Sequence, residues 1–339
     1  MQVRVEVSLP WDVRADVLVV PVFAKPAVDG VLDELDRRMG GELRSLLAFG
    51  EITGKRYSVA MARGGEIGAQ RVMFVGGGDP DTFGVEHAIR LAGTAHRKLG
   101  GRNARTLAIW VPPLAERLPH LGPRLAEHLA RGVVEGGYDP RTIYRDKVDT
   151  TPPVLDELIL VLPGADRTAG AAAARRGVIL GEGTNDARNL ANRAANDVSP
   201  EVLADEAAAL AKRHGLWIDV IGPEQATAMG MGMFMAVGRG SDNPPRMIVL
   251  RSGGEGELDA RGRHLAIIGK GVCFDTGGTS IKPANRMEEM KMDKSGASAV
   301  LTAIATVARL APGTPLLAVA PASGPVSYTH LTLPTNSRV

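Results

Sequence analysis

Short apolar runs ending in proline or glycine alternate along this chain with stretches of helical spacing, and few folds accommodate that pattern. "DVLVVPV" (16–22), "RVMFVGG" (71–77), "TLAIWVP" (106–112) and "LILVLPG" (158–164) have the length and apolar content of buried strands. Between the second and third, Val85, Ala88, Ile89, Ala92, Ala95 and Leu99 recur at helical spacing, and Gly100 ends the pattern. Strand and helix in alternation predict an α/β domain with a mostly parallel sheet over residues 1–165. The opening "MQVRVEVSLP" also alternates like a strand.

Residues 166–198 read as a linker: an alanine-rich helix and a connection. Ser199 is then placed as an N-cap, with Pro200 at the first helical position and Glu201 in the first turn. Leu203, Ala207 and Leu210 form the expected buried stripe, and Gly215 the stop. Strand-like runs at 216–221, 246–251, 264–269 and 315–321 predict a second α/β domain over 199–325. The methionine-rich "MGMGMFMAVGRG" (229–240), taken at alternating spacing, reads as core or pocket lining.

Composition excludes several partners. Forty basic residues against 38 acidic ones leave a net charge of +2, with no basic stripe for nucleic acid. The single cysteine, Cys273, rules out an internal disulfide and fits a reducing compartment. No basic-then-apolar leader opens the chain, and no apolar run approaches the roughly 20 residues of a membrane span. The expectation is a soluble, cytoplasmic protein.

Chemistry concentrates in "GKGVCFDTGGTSIKP" (269–283) and "KMDKSG" (291–296). Lys270 leaves the carboxyl end of a predicted strand, where open parallel sheets gather ligands. Asp275 and Lys282 follow on a glycine-rich run, and Asp293 enters at the start of a helix whose small residues permit close packing. Two carboxylates and a lysine suit a hard cation such as zinc, manganese or magnesium. A lysine ligates only as the neutral amine, a form that adjacent dications favour. A second lysine that stays charged can polarise a carbonyl. The same residues admit a plainer reading, an exposed ion pair worth about 0–1 kcal/mol on a glycine turn. "VGGGDPD" (75–81) follows a strand but lacks phosphate-loop spacing, and neither HExxH nor GxSxG occurs.

The stretch "GKGVCFDTGGTSIKPANRMEEMKMDKSGASAV" resembles the core motif of the leucyl (cytosol) aminopeptidase family. "NLANRAANDVSPEVLADEA" and "MGMGMFMAVGRGSDNPPRMIVL" precede it in the family's order, so the likeness spans 180–322. The amino-terminal part is similar in its macro-like α/β character. The resemblance implies a two-metal exopeptidase, usually a homo-hexamer, that releases leucine-type amino-terminal residues from peptides with zinc, manganese or magnesium. Lys270, Asp275 and Asp293 fall on its metal-ligand positions. Lys282 falls on its catalytic lysine, and Met290 lines its pocket for the first side chain. Cys273 stands where threonine is common and reads as core filler; Lys294–Ser295 stand where Met–Gly is common.

The family's second motif, Asn-Thr-Asp-Ala-Glu-Gly-Arg, supplies further ligands and an arginine that holds a bicarbonate base. It is expected well after Asp293, yet Lys294 to Val339 contain no aspartate or glutamate. "GTNDARNL" (183–190) lacks the glutamate and aligns with the linker, so it is rejected. The expectation is a C-terminally truncated member whose residues 326–339 are a non-family tail of adapter origin, with a divergent ending as the alternative. Two dications bring +4 against –2 from Asp275 and Asp293, and uncompensated buried charge costs several kcal/mol per ion. The chain as written is therefore expected to be inactive. A non-catalytic pseudo-enzyme, or an ADP-ribose or nucleotide-binding module using the macro-like domain, are the competing readings.

Overall fold

The computed structural model describes residues 1–144, 154–164, 166–253, 265–278 and 280–324. They form two compact units that divide at Glu182/Gly183. The tail at 326–339 lies outside the described residues. No helix among those described is long and apolar enough to cross a membrane.

The first unit contains β1 (Gln2–Glu6), β2 (Ala15–Phe23), α1 (Gly30–Arg38), α2 (Glu42–Ala48), β3 (Val59–Arg63) and β4 (Ala69–Gly78). It continues with α3 (Val85–Arg97), β5 (Thr106–Trp110), α4 (Pro112–Ala115), α5 (Arg124–Gly136) and β6 (Glu157–Val161). Its sheet runs β1-β6-β5-β2-β4-β3, parallel throughout except for β3 against β4. Successive side chains of a strand face opposite ways, and β2 shows why the unit has three layers. Val17 and Val19 pack with Leu107, Ile109, Leu158 and Leu160 toward α3 and α5. Leu18 and Val20 pack with Ala108, Ile159 and Val161 toward Leu35 of α1 and Leu43 of α2. Near-continuous apolar strands are what a sheet covered on both faces demands.

Helix α6 (Arg167–Asn192) runs through the division, and Asp166 caps its start by accepting from Thr168 N at 2.8 Å and Ala169 N at 3.1 Å. The division thus falls inside the stretch read as linker.

The second unit adds α7 (Pro200–His214), β7 (Trp217–Ile221), α8 (Pro223–Ala228), α9 (Gly232–Gly238), β8 (Arg246–Ser252), β9 (Leu265–Ile268) and β10 (Gly271–Val272). A tight 3-10 stretch, Met287–Lys294, leads into α10 (Ser295–Leu310), and β11 (Leu316–Ser323) follows. Ser199 caps α7, its Oγ accepting from Val202 N at 3.2 Å, and Gly215 ends it in the left-handed region. Leu203, Ala207 and Leu210 pack with Leu301 and Ile304 of α10 on one face of the sheet, against Ile248, Leu250, Ala318 and Ala320. This sheet is mixed: β11 pairs parallel with β9 and β10 but antiparallel with β8, and β8 pairs antiparallel with β7.

The methionine-rich run, read as core or pocket lining at alternating spacing, is not core. Gly230, at φ +72°, follows α8, and α9 opens at Gly232, so the methionines follow helical rather than alternating spacing. Met229 and Met233 face outward, Met233 with 89% of its surface exposed.

Candidate metal centre

β9 and β10 are two pieces of one edge, both paired to β11, and the chain breaks between them at Gly269–Lys270. The break sits against the start of α10. Ala297 N donates to Lys270 O at 2.8 Å. A Cβ on Gly269 would overlap Gly296 O, and one on Gly296 would press on Lys270 N, so only glycine allows this approach. The contact places the Lys270 side chain beside the Met287–Lys294 stretch, which carries Asp293.

Past β10, Asp275 starts a turn. Its Oδ1 accepts from Gly277 N at 3.0 Å, and Gly277 adopts φ +87°, a region that favours glycine. The chain folds back until Lys282 N donates to Thr276 O at 2.9 Å, which brings the Lys282 side chain to Asp275.

The four charged side chains named from the sequence therefore meet. Lys270 Nζ lies 2.7 Å from Asp293 Oδ1 and 3.8 Å from Asp275 Oδ2. Lys282 Nζ lies 2.8 Å from Asp275 Oδ2 and donates to Met290 Sδ at 3.2 Å. Partial burial alone would raise the Asp275 carboxyl. The Lys282 ammonium, the Gly277 N–H and the charge of Lys270 outweigh it and hold the group below the usual carboxylate range.

Two buried residues flank the site in sequence. Cys273 is buried, and desolvation pushes its thiol up to about 12 against the opposing charge of Lys294, so it is an inert packing group. Lys294 is fully buried, and desolvation lowers its ammonium to about 8. Sequence reasoning singled out neither Gly269 nor Lys294 for the site; the lone signal was a lysine where methionine is common. The glycines of "VGGGDPD" belong to the end of β4, where Gly77 lies under the Phe23 ring and Gly76 under the Lys55 carbonyl. The rejected "GTNDARNL" lies within α6.

The donor set is two carboxylates and one amine nitrogen, hard oxygen and nitrogen groups that fit a single divalent cation in charge and type. Among the described residues, no three of His, Cys, Asp or Glu converge to hold a metal. A second dication finds no further carboxylate there among the described residues.

Residues 185–325 match the model of the cytosol aminopeptidase family's catalytic domain, and residues 19–143 match that family's N-terminal domain. The chain belongs to the cytosol aminopeptidase family. A probable cytosol aminopeptidase of Geobacter sp. (strain M21) is 34% identical over 322 residues, covering 95% of this chain and 64% of that protein. A second, from Solibacter usitatus (strain Ellin6076), is 34% identical over 326 residues, covering 95% and 62%. The chain thus spans less than two thirds of the length of these cytosol aminopeptidases. Among solved structures, the bottromycin maturation enzyme BotP in complex with Mn aligns at a TM-score of 0.69 with 28% identity, covering 91% of this chain and 60% of that one. A tomato leucine aminopeptidase variant shares the fold at a TM-score of 0.80 with 23% identity, covering 97% and 64%.

Proposed function

We propose that this chain carries the first half of a two-metal aminopeptidase centre, acting on leucine-type amino-terminal residues of peptides. The observation that supports it is the meeting of Lys270, Asp275, Lys282 and Asp293 within 3.8 Å contacts, in a chain of the cytosol aminopeptidase family. Lys270, Asp275 and Asp293 would hold a divalent cation, manganese or zinc, with magnesium as a weaker fit. Such a cation would supply Lewis-acid chemistry, polarising a carbonyl and acidifying water.

The chain's own residues do the rest. Lys282 presents its ammonium to the oxygen of the scissile carbonyl and favours the charge that develops there. Asp275, 2.8 Å away, keeps that lysine aimed. Met290, in contact with Lys282, offers a polarisable apolar flank to the first side chain of the peptide. Two carboxylates balance one dication and leave a second uncompensated, so one manganese and no turnover are proposed for the chain as written. The complete protein's hexameric state, its bicarbonate base and its cytoplasmic location belong to the same proposal.

Manganese titration of the purified chain, with leucine p-nitroanilide as substrate and its N-acetylated form as control, tests this. One bound ion and no hydrolysis of either substrate are expected. Turnover at ordinary aminopeptidase rates would refute the half-site account. Failure to bind manganese, with Asp275→Asn indistinguishable from wild type, would refute the metal centre.

A further inference from the structure

Lys294 presents a puzzle that the reaction chemistry does not solve. None of its surface is exposed. A methionine would fill the same volume without taking an ammonium out of water, which costs several kcal/mol. What methionine lacks is donors. Lys294 Nζ donates to the carbonyl of Arg193 at 2.7 Å and to that of Lys291 at 2.9 Å. The first of these joins segments 101 residues apart.

Both ends of this bridge are anchored. Arg193 follows α6, and its guanidinium meets Asp197 at 2.7 and 3.1 Å and Glu206 of α7 at 2.5 Å. Lys291 and Lys294 belong to the Met287–Lys294 stretch that carries Asp293. Ser298 Oγ donates to Lys294 O at 3.0 Å and ties that stretch to α10. Asp293 lies between the two lysines, with its Oδ1 on Lys270.

We infer that Lys294 is a positioning residue: it latches the Met287–Lys294 stretch to the Arg193 carbonyl and thereby holds Asp293 against Lys270. The effect on metal affinity rests on the proposal above that Asp293 is a ligand; the latch itself does not.

The test compares wild type, Lys294→Met, Lys294→Gln and Asp293→Asn, each as the 339-residue chain. Amide hydrogen exchange over 287–297 is measured without added metal, and Mn²⁺ is titrated by following the resonance of the free ion. Lys294→Met should speed exchange over 287–297 by about tenfold or more and leave β2, β4 and β5 unchanged. Its Mn²⁺ affinity should fall by about 10- to 100-fold, the usual effect of removing a group that supports a ligand. Lys294→Gln, with a donor on a shorter stem, should fall between.

Unchanged exchange over 287–297 in Lys294→Met overturns the latch, whatever the metal does. Faster exchange with unchanged Mn²⁺ affinity overturns the positioning of Asp293, because the stretch has then loosened without moving a ligand. If wild type binds no Mn²⁺ and Asp293→Asn changes nothing, the metal centre falls while exchange still decides the latch. Should Lys294→Met fail to fold, the same two measurements on Lys294→Gln decide.

Discussion

Asp16 shows how much a single carboxylate can organise. It sits at the start of β2 and accepts from Arg105 N at 2.7 Å, and from Thr106 N and Thr106 Oγ1 at 2.8 Å each. Gln70 Nε2 donates to its other oxygen at 3.0 Å. Partial burial alone would raise this carboxyl, but the Arg105 and Thr106 groups outweigh it and hold the folded value below the unfolded one. A depressed carboxyl adds stability that is fully present above the unfolded value of about 3.9 and is lost as pH falls through the folded value. Asp16→Asn should therefore melt below wild type at pH 7, and the two should converge as pH drops under 4; melting curves from pH 7 to 2.5 check this. In the second unit, Ser199→Ala removes the cap on α7 and should cost about 1 kcal/mol in urea unfolding.

Among the elements, the β9–β10 edge matters most, because its interruption launches the site. Gly269→Ala would drive a methyl into the Gly296 carbonyl and should destabilise the second unit by about 1–3 kcal/mol. It should also weaken manganese binding, read by calorimetry, because Lys270 moves with the break. Much of this was legible in the sequence. The runs at 16–22 and 106–112 appear as β2 and β5 because strands covered on both faces read as plain apolar stretches. Lys270, Asp275, Lys282 and Asp293 were named because charged residues cluster past a strand's carboxyl end and fall on the family motif's ligand and lysine positions. Other features were hidden. β3 reads "VAMAR", whose alternation rests on alanines too weak to signal a strand. The antiparallel pairing of β8 depends on partners distant in sequence, which local periodicity does not encode. The methionines of 229–240 mimic a two-residue period only because glycines separate them, and those glycines punctuate two helices instead. Lys294 was visible as a departure, but its burial against a carbonyl 101 residues away was not.

For the molecule as a whole, the second sheet leaves β9 with exposed apolar side chains: Leu265 shows 67% of its surface and Ile268 71%. Apolar, open strand edges invite pairing with another chain. Ile268→Lys should therefore reduce self-association of the purified chain, measured by light scattering over a concentration series, without changing the first unit's melting. The site itself carries a different kind of balance. Lys270 and Lys282 face Asp293 and Asp275 one to one, so its formal charges cancel. Under the proposed metal centre, scarcity of transition ions would leave this cluster standing rather than unravel it, and a restored supply would meet side chains already assembled.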